Sequence, residues 1–453
     1  MHSVDQNRIY MQIRLNFDSF RYTYIRYLQS SKKSSIHKTW PPHDTFELFL
    51  SSVGTHSLSL KPWVDITQKI RNPTLSYIHQ IKALSNDSKV NISDLEELVQ
   101  LDKRHRIDAI YQNLQIYPKA LDLHAVVSAI RSGKPVDQEP LNDPELLIIQ
   151  TPEMSCVNLE GSFSLDHRPY KCDLIVMVKS CVSCQSARRH ARLTYMRRKL
   201  WGRYRVEFVF VVGLPFISNS SSFIVDDVEV PSKQHVKTKK ELEQQIRTLF
   251  EDSRLHKDIL VGGFIDTYEN LTMKTIFALR WASAFCKHCS PLFLFMDSDV
   301  SLIPRNFINL VKTFPDEAKT EIIGGFPYYH LGITRPTGKY KNHEHALSRK
   351  HYPWNHPPTY LFGHGYLLGS EKVRDGAIAS AFVKSMKLED VYLGIIWEKL
   401  NYKCLKLPGF LLYPSKPSDI SRSVIAATEF ADLHVNWETG ELKPNRTRLT
   451  QSK

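Results

Sequence analysis

Short apolar runs alternate with helix-like segments between Lys171 and Asp299, and this order constrains the fold of the 453-residue chain more than any other feature. The apolar runs are CDLIVMVKS, VEFVFVVG, DILVGGFID and LFLFMD, and the helix-like segments include KKELEQQIRTLFEDS and NLTMKTIFALRWASAFC. Runs rich in Val, Ile, Leu and Phe are typical of parallel strands that helices cover on both faces. The alternation therefore predicts an α/β fold with a mostly parallel central sheet.

Two carboxylates follow the last of these strands. The stretch LFLFMDSDVSLIP runs from five apolar residues directly into Asp297, Ser298 and Asp299. Carboxylates are costly to bury unless a positive group meets them, and ligands of open α/β sheets bind beyond the carboxyl ends of the strands. This position favours a metal site, and a solvated turn or a helix cap is the alternative.

The formal net charge of +13 is unevenly distributed. Eight basic residues fall in one short segment after the first predicted strand: Arg188, Arg189, Arg192, Arg197, Arg198, Lys199, Arg203 and Arg205. Such a cluster suits a polyanion or a phosphorylated ligand, and a solvated helix face explains it equally well. No groove-reading or base-stacking motif accompanies the charge, so we expect no nucleic-acid partner.

The sequence shows no membrane-spanning segment but is compatible with a secretory route. No stretch approaches the roughly 20 apolar residues that a spanning helix needs, and charged residues interrupt the first semi-apolar stretch. N-glycosylation sequons occur at Asn86, Asn91, Asn219, Asn270 and Asn445. The predicted helix start at Asn270 makes that position a poor acceptor, which leaves the other four as candidate sites.

Seven cysteines include two C-x-x-C pairs, Cys181/Cys184 and Cys286/Cys289. Zinc ribbons separate such pairs by roughly 15 to 20 residues, far less than here. In a parallel sheet Cys172 and the second pair lie at amino ends of strands, whereas the first pair lies beyond a carboxyl end. A strand of six residues spans about 20 Å, so the pairs should be too far apart to share a metal. We expect instead a disulfide from Cys172 to Cys286 or Cys289 in an oxidising compartment.

Three regions are predicted along the chain. Residues 1–165 form a mainly helical accessory region, with one helix opening at a capping box from Ser93 to Glu96. Another helix, LDLHAVVSAIRSG, ends in a glycine suited to a C-cap, Gly133. Residues 166–415 form the α/β domain, and residues 416–453 form a polar, extended tail.

Five stretches in this order resemble the β-1,3-glycosyltransferase family: ARRHARLTY, FIDTYENLTMKTIFALRWASAFC, MDSDV, YPWNHPPTYLFGHGYLLGS and LEDVYLG. The resemblance implies a GT-A fold, an inverting mechanism, a UDP-sugar donor, and a divalent cation, usually Mn²⁺. It further implies a glycan acceptor on protein or lipid and a membrane-associated location in the Golgi apparatus, although the family's amino-terminal anchor is not seen in this chain.

The resemblance also assigns roles to acidic residues. Asp299 matches the metal-binding position, Asp297 lies beside it, and Ser298 takes the place of the usual middle acid next to the donor. Asp390 matches the Asp of the E-D-V motif, the catalytic base, and Glu389 helps to position the acceptor. Asp390 precedes the helix-like VYLGIIWEKL, so a plain N-cap is the alternative.

Arg188 and Arg192 match the arginines of the family's R-x-x-x-R-x-T-W phrase, which implies contacts with the donor nucleotide or its phosphates. The alternative is that they pack or pair structurally. Gly363 and Gly365 mark positions in a donor or acceptor loop where backbone approaches closely.

The sequence departs from the family pattern after the E-D-V motif. Many members carry a histidine there that completes the metal shell, whereas this chain has PGFLLYPS. The third ligand is missing, is His434, or is water. The predicted function is transfer of galactose or N-acetylglucosamine from UDP-galactose or UDP-N-acetylglucosamine to a glycan. The alternative is a catalytically silent relative that acts as a chaperone or glycan-binding protein.

Overall fold

The computed structural model describes residues 121–443, except for residues 135, 139, 143–147, 155–169, 216–221, 226–227, 232–237, 287–288, 330, 350 and 411–421. The helix predicted from Ser93 and the sequons at Asn86, Asn91, Asn219 and Asn445 lie outside the described residues. Those expectations stay predictions.

The described α-helices are α1 (Leu123–Arg131), α2 (Gln185–Leu193), α3 (Lys239–His256), α4 (Leu271–Phe285), α5 (Pro304–Val311), α6 (Asp316–Lys319), α7 (Ser370–Ala379), α8 (Glu389–Lys399) and α9 (Thr428–His434). The described strands are β1 (Ile148–Gln150), β2 (Leu174–Lys179), β3 (Val206–Leu214), β4 (Ser222–Val225), β5 (Val228–Pro231), β6 (Ile259–Ile265), β7 (Leu292–Asp297), β8 (Val300–Leu302), β9 (Ile323–Tyr328), β10 (Tyr360–Gly369), β11 (Leu405–Lys406), β12 (Ile425–Ala427), β13 (Val435–Asn436) and β14 (Glu441–Leu442). Short 3₁₀ helices span Arg198–Trp201, Tyr268–Asn270 and Gly338–Tyr340.

The main sheet has eight strands in the order β1-β6-β3-β2-β7-β10-β9-β11. Strands β6, β3, β2 and β7 are mutually parallel, and β10 inserts antiparallel between β7 and β9. The prediction of an α/β fold with a mostly parallel sheet is confirmed, and the architecture is consistent with the GT-A type.

Both faces of the sheet are buried, which explains why its central strands are continuously apolar. Along β7, Phe293 and Phe295 face one core, while Leu292, Leu294 and Met296 face the other. The chain becomes polar only where β7 ends at Asp297. The position of that first carboxylate is therefore set by the length of the buried strand.

The amino-terminal boundary at residue 165 is wrong, because earlier residues belong to the α/β domain. Strand β1 pairs antiparallel with β6 at the sheet edge. Helix α1 buries Leu123, Val126 and Val127 in the core shared with α4 and α7. The glycine expected to cap α1 lies one residue later than the C-cap, since Ser132 is the C-cap and Gly133 follows with φ +69°.

The prediction of an extended carboxyl-terminal tail is also wrong. Strand β12 pairs antiparallel with β8, and α9 follows it directly. Ala426, Ala431 and Val435 form a small buried cluster with Ile303. This segment packs because its apolar residues lie beside β8 and Ile303, and no local sequence period indicates that pairing.

The cysteines lie at the predicted ends of the sheet but bond differently. The backbone N–H of Cys172 donates to the Cys289 carbonyl at 2.7 Å, so these residues adjoin at the amino end. The disulfide joins Cys181 to Cys184, whose Cα atoms are 5.0 Å apart in the turn before α2. The expected disulfide from Cys172 is wrong, since Cys172 has no disulfide partner among the described residues.

Within the described parts of the chain, no helix combines the length and the apolar character needed to cross a membrane.

Candidate active site

A buried lysine lies at the centre of the candidate site. Lys179 is the last residue of β2, directly opposite Asp297 at the end of β7. Its Nζ is 3.0 Å from Asp297 Oδ1 and 2.9 Å from Glu389 Oε1, and it donates to the Gly363 carbonyl at 2.9 Å. The Lys179 side chain is only 1% exposed. The ends of β2 and β7, the middle of β10 and the start of α8 therefore meet at one ammonium group.

The charge of Lys179 is secured by its neighbours. Burial alone would lower the pKa of this lysine, but Asp297 and Glu389 raise it well above its ordinary value. Sequence analysis missed Lys179, although the single lysine in the otherwise apolar run LIVMVK was an available signal. A charged residue in such a strand needs a buried counter-charge.

Asp390 is the second residue of α8 and is distinct from the helix cap. The N-cap residue is Leu388, and Asp390 Oδ1 accepts the backbone N–H of Val391 at 2.7 Å. Burial, and next the carboxylate of Glu389, raise the pKa of Asp390 to about 7. A carboxyl group that titrates near neutrality can exchange a proton with a hydroxyl group, which is the property a general base needs. The geometry thus argues against the plain N-cap.

Arg188 and Arg192 are held by acidic residues. The Arg188 side chain is buried, and its Nε donates to Asp252 at 2.7 Å. Arg192 donates to both carboxylate oxygens of Asp258 at 2.8 Å and to Asp252 at 2.8 Å. These contacts favour structural pairing of α2 with the end of α3. Donor binding by the two arginines stays an untested prediction.

Both glycines of the FGHGY stretch lie where backbone and side chain approach closely. A Cβ on Gly363 would lie 2.5 Å from Glu389 Oε1, and one on Gly365 would lie 2.7 Å from Ile425 Cδ1. Neighbouring side chains therefore approach both glycines closely, and their place in a donor or acceptor loop stays a prediction. Gly363 has two contacts in the site: it leaves room for the Glu389 carboxylate, and its carbonyl accepts a hydrogen bond from Lys179.

Asn270 is the N-cap residue of α4, as expected from the predicted helix start. Its side chain, however, makes no capping hydrogen bond. Its amide nitrogen instead donates to the Ile265 carbonyl at 3.1 Å, and the residue is buried. Next to it, Lys274 pairs with buried Asp266 at 2.6 Å and donates to the Ser180 carbonyl. The Lys274–Asp266 pair therefore holds the backbone at Ser180, the residue that follows Lys179.

Comparison with known proteins shows which proteins this domain resembles. The profile of the family described as Galactosyltransferase matches residues 236–408. The UDP-GalNAc:beta-1,3-N-acetylgalactosaminyltransferase 1 of Mus musculus is 29% identical over 230 residues, which cover 49% of this chain and 58% of the relative. The Beta-1,3-galactosyltransferase brn of Drosophila melanogaster is 30% identical over 183 residues, which cover 40% of this chain and 55% of the relative.

These matches support assignment of the matched domain to the β-1,3-glycosyltransferase family. The alignments span between half and three fifths of the length of these curated relatives. The family match includes Asp297, Asp299 and Asp390, whereas Lys179 lies before it. One central charge of the candidate site, that of Lys179, is therefore carried by a strand outside the matched residues.

The two carboxylates of the D-x-D motif differ in their surroundings. Asp297 faces Lys179, while Asp299 is exposed in the turn between β7 and β8. Ser298 is anchored through its backbone N–H, which donates to the Lys179 carbonyl at 3.1 Å. Asp297 thus lies at the end of β7, and Ser298 and Asp299 lie in the turn that follows.

The described residues contain no cluster of three or more His, Cys, Asp or Glu side chains arranged to hold a metal ion. His434 ends α9, and its ring lies 4.6 Å from that of Phe430, so it does not join Asp297 and Asp299 as a third ligand. Hard divalent cations, however, are often held by one or two carboxylates together with substrate phosphates and water. The exposed carboxylate of Asp299 fits that arrangement, in which the donor supplies further ligands.

Proposed function

We propose that this protein transfers a hexose from a UDP-sugar to a glycan hydroxyl group, with inversion and formation of a β-1,3 linkage. The observation that carries the proposal is the carboxyl group of Asp390, whose pKa is raised to about 7 beside the buried pair of Lys179 and Glu389. The family of the domain supports the reaction class. Activity, substrates and partners of the whole protein belong to this proposal.

In the proposed reaction Asp390 is the general base. Its carboxylate removes the proton of the acceptor hydroxyl while the oxygen attacks the anomeric carbon from the face opposite the diphosphate. The bond from that carbon to the diphosphate oxygen breaks, and UDP leaves. Glu389, held by Lys179 at 2.9 Å, provides a fixed acceptor for a second acceptor-sugar hydroxyl.

Asp299 would hold the divalent cation together with the donor phosphates, with Asp297 beside it. A bound cation would neutralise the charge that develops on the departing diphosphate. Lys179 keeps Asp297 in place from the buried side at 3.0 Å. The side chain of Ser298 adds no negative charge next to the donor.

For the donor we propose a sugar of galactose configuration. One relative is named for UDP-GalNAc and another for galactosyl transfer, and both sugars share the axial hydroxyl at carbon four. N-acetylglucosamine as donor, Mn²⁺ as the cation and a Golgi location stay predictions, as does glycosylation at Asn86, Asn91, Asn219 and Asn445.

The test is sugar transfer by the purified full-length chain. UDP-galactose, UDP-N-acetylgalactosamine and UDP-N-acetylglucosamine would be offered with a panel of β-linked acceptors, with Mn²⁺ and with a chelator. Asp390→Asn and Asp299→Ala are the test variants, and exposed Asp137→Ala is the matched control. We expect transfer that needs the cation, is lost in both test variants and is unchanged in the control.

Retained transfer in Asp390→Asn would refute the assignment of the base. If the wild type transfers no sugar from any donor yet binds UDP or a glycan, the protein is a silent relative. The lack of a three-residue metal cluster among the described residues is the observation that favours this second candidate.

A further inference from the structure

The segment between β9 and β10, residues 331–359, is held rigidly at the side of the site. Arg335 donates to the carbonyls of Leu347 at 3.1 Å, Tyr352 at 2.7 Å and Trp354. The side chains of those three residues are completely buried. One guanidinium thus ties together three points of the segment, and the segment forms a preorganised platform.

Four aromatic rings form a continuous row from the site onto this platform. The ring centroids of Tyr268 and His345 are 6.1 Å apart, those of His345 and His343 are 5.3 Å apart, and those of His343 and Tyr340 are 5.5 Å apart. Tyr268 is 37% and Tyr340 is 40% exposed, and the His345 side chain is 50% exposed. We call these four residues the ring track.

The inner end of the ring track lies in the field of the site's carboxylates. Burial, followed by the charges of Glu389, Glu344, Asp297 and Asp390, raises the pKa of the Tyr268 phenol. Tyr268 lies on the short 3₁₀ helix that follows β6, at the carboxyl edge of the parallel strands whose ends carry Lys179 and Asp297. The ring track therefore starts at the edge of the sheet that holds the candidate site.

Local contacts orient His343, and burial changes the acidity of His345. His343 Nδ1 accepts the backbone N–H of His345 at 3.2 Å, which leaves Nε2 to carry the hydrogen of the neutral ring. Burial lowers the pKa of His345, with Glu344 and Glu389 opposing this effect and His343 and Lys387 adding to it. At the outer end, Lys339 Nζ lies 5.0 Å from the centre of the Tyr340 ring.

We propose that the ring track binds the second and third sugars of a linear, β-linked glycan acceptor. This inference rests on the proposed function and specifies the acceptor as an oligosaccharide. A pyranose ring presents a face of C–H groups that packs on an aromatic face, and its hydroxyls at the rim hydrogen-bond to polar tips such as Nε2 or a phenol. A row of half-exposed rings that starts at the edge of the candidate site matches a chain of sugars whose terminal hydroxyl reacts.

The test compares a short and a long acceptor. Methyl β-galactoside and a linear tetrasaccharide of alternating β-linked galactose and N-acetylglucosamine would be titrated against the full-length protein by NMR, and then used in transfer assays. Tyr340→Ala and His343→Ala remove outer rings, Tyr340→Phe keeps a ring, and Leu331→Ala changes an exposed side chain of the same segment that is not in the ring track. Thermal melts check that each variant folds.

We expect Tyr340→Ala and His343→Ala each to weaken tetrasaccharide binding roughly threefold to tenfold, with methyl β-galactoside unaffected. Leu331→Ala should bind the tetrasaccharide as the wild type does. Tyr340→Phe keeps the ring face and loses only the phenol, so it should lose less affinity than Tyr340→Ala. The proposal is overturned if both acceptors weaken equally, if neither weakens, or if UDP affinity falls instead, since the rings would then stack on uracil. Ring-dependent binding without any transfer would refute the proposed reaction while supporting the ring track as a glycan site.

Discussion

Asp390 and Glu389 are adjacent in sequence at the start of α8, but their surroundings differ. Glu389 Oε1 receives the Lys179 ammonium at 2.9 Å, whereas the bond made to Asp390 is the backbone N–H of Val391. Two carboxyl groups in such different environments suit two different roles. In the proposed reaction Glu389 positions the acceptor and Asp390 exchanges the proton.

The pH dependence of transfer should report Asp390. Because the base must be deprotonated and its pKa is raised to about 7, kcat/KM should rise with pH and reach half its maximum near 7. Initial rates between about pH 5 and 9 measure this profile. Half-maximal kcat/KM at a pH close to the ordinary value of 3.8 would contradict the role of Asp390.

The same residue should lower stability at alkaline pH. The folded pKa of about 7 exceeds the ordinary value of 3.8, so folding disfavours the charged form. The cost is absent below about pH 4, grows as pH rises to about 7 and is complete above that value. Asp390→Asn should therefore be more stable than the wild type by a few kcal/mol near pH 8, and this advantage should vanish near pH 4. Urea unfolding at both pH values is the measurement.

Removing the central ammonium should destabilise the fold. Lys179→Met leaves Asp297 and Glu389 facing each other without their buried counter-charge, which costs about 3–5 kcal/mol. Urea unfolding near neutral pH measures the loss, with exposed Lys339→Met as the control. A loss no greater than that of the control would show that water can replace Lys179.

At the scale of elements, the site depends on how closely β10 approaches α8. Gly363 on β10 allows Glu389, the first residue of α8, to lie against the strand. The same carbonyl accepts from Lys179 at the end of β2. Lys179 therefore donates both to Gly363 on β10 and to Glu389 on α8.

Gly363→Ala tests this approach. The added Cβ would lie 2.5 Å from Glu389 Oε1, so the carboxylate must move away from Lys179. We expect a loss of about 1–3 kcal/mol in unfolding free energy and a marked loss of transfer. Gly332→Ala is the matched control, because a Cβ there meets nothing within 4 Å. Equal unfolding free energies for both variants would argue that Glu389 tolerates displacement.

At the scale of the whole molecule, segments far apart in sequence complete the α/β domain. Strand β1 lies at one edge of the main sheet, and β12, followed by α9, pairs with β8 in a separate two-stranded sheet. The domain is therefore larger than the residues 236–408 that match the family. Its stability depends on both flanking segments.

Two truncations test the carboxyl-terminal closure. A chain ending at residue 421 loses β12 and α9, which exposes Ile303 and its neighbours, so we expect aggregation or a lower Tm. A chain ending at residue 443 keeps the described elements and should melt as the full chain does. Similar melting of both truncated chains would mean that β12 is dispensable.

The sequence by itself determined the central elements. The sequence pattern predicted the positions of four strands, β2, β3, β6 and β7, and of two helices, α3 and α4. These elements were predictable because an apolar run or a helical repeat depends only on residues close together in the sequence. The carboxylates Asp297 and Asp299 and the base candidate Asp390 were likewise found from local motifs.

Only the tertiary structure decided which charges meet. Lys179 and Glu389 are 210 residues apart, and Arg188 and Asp252 are 64 residues apart, so no local period connects them. Their pairing follows from the order of the strands, which places the end of β2 beside β7 and close to the start of α8. A buried charge takes the partner that the fold brings within reach, and that choice is made through space rather than along the chain.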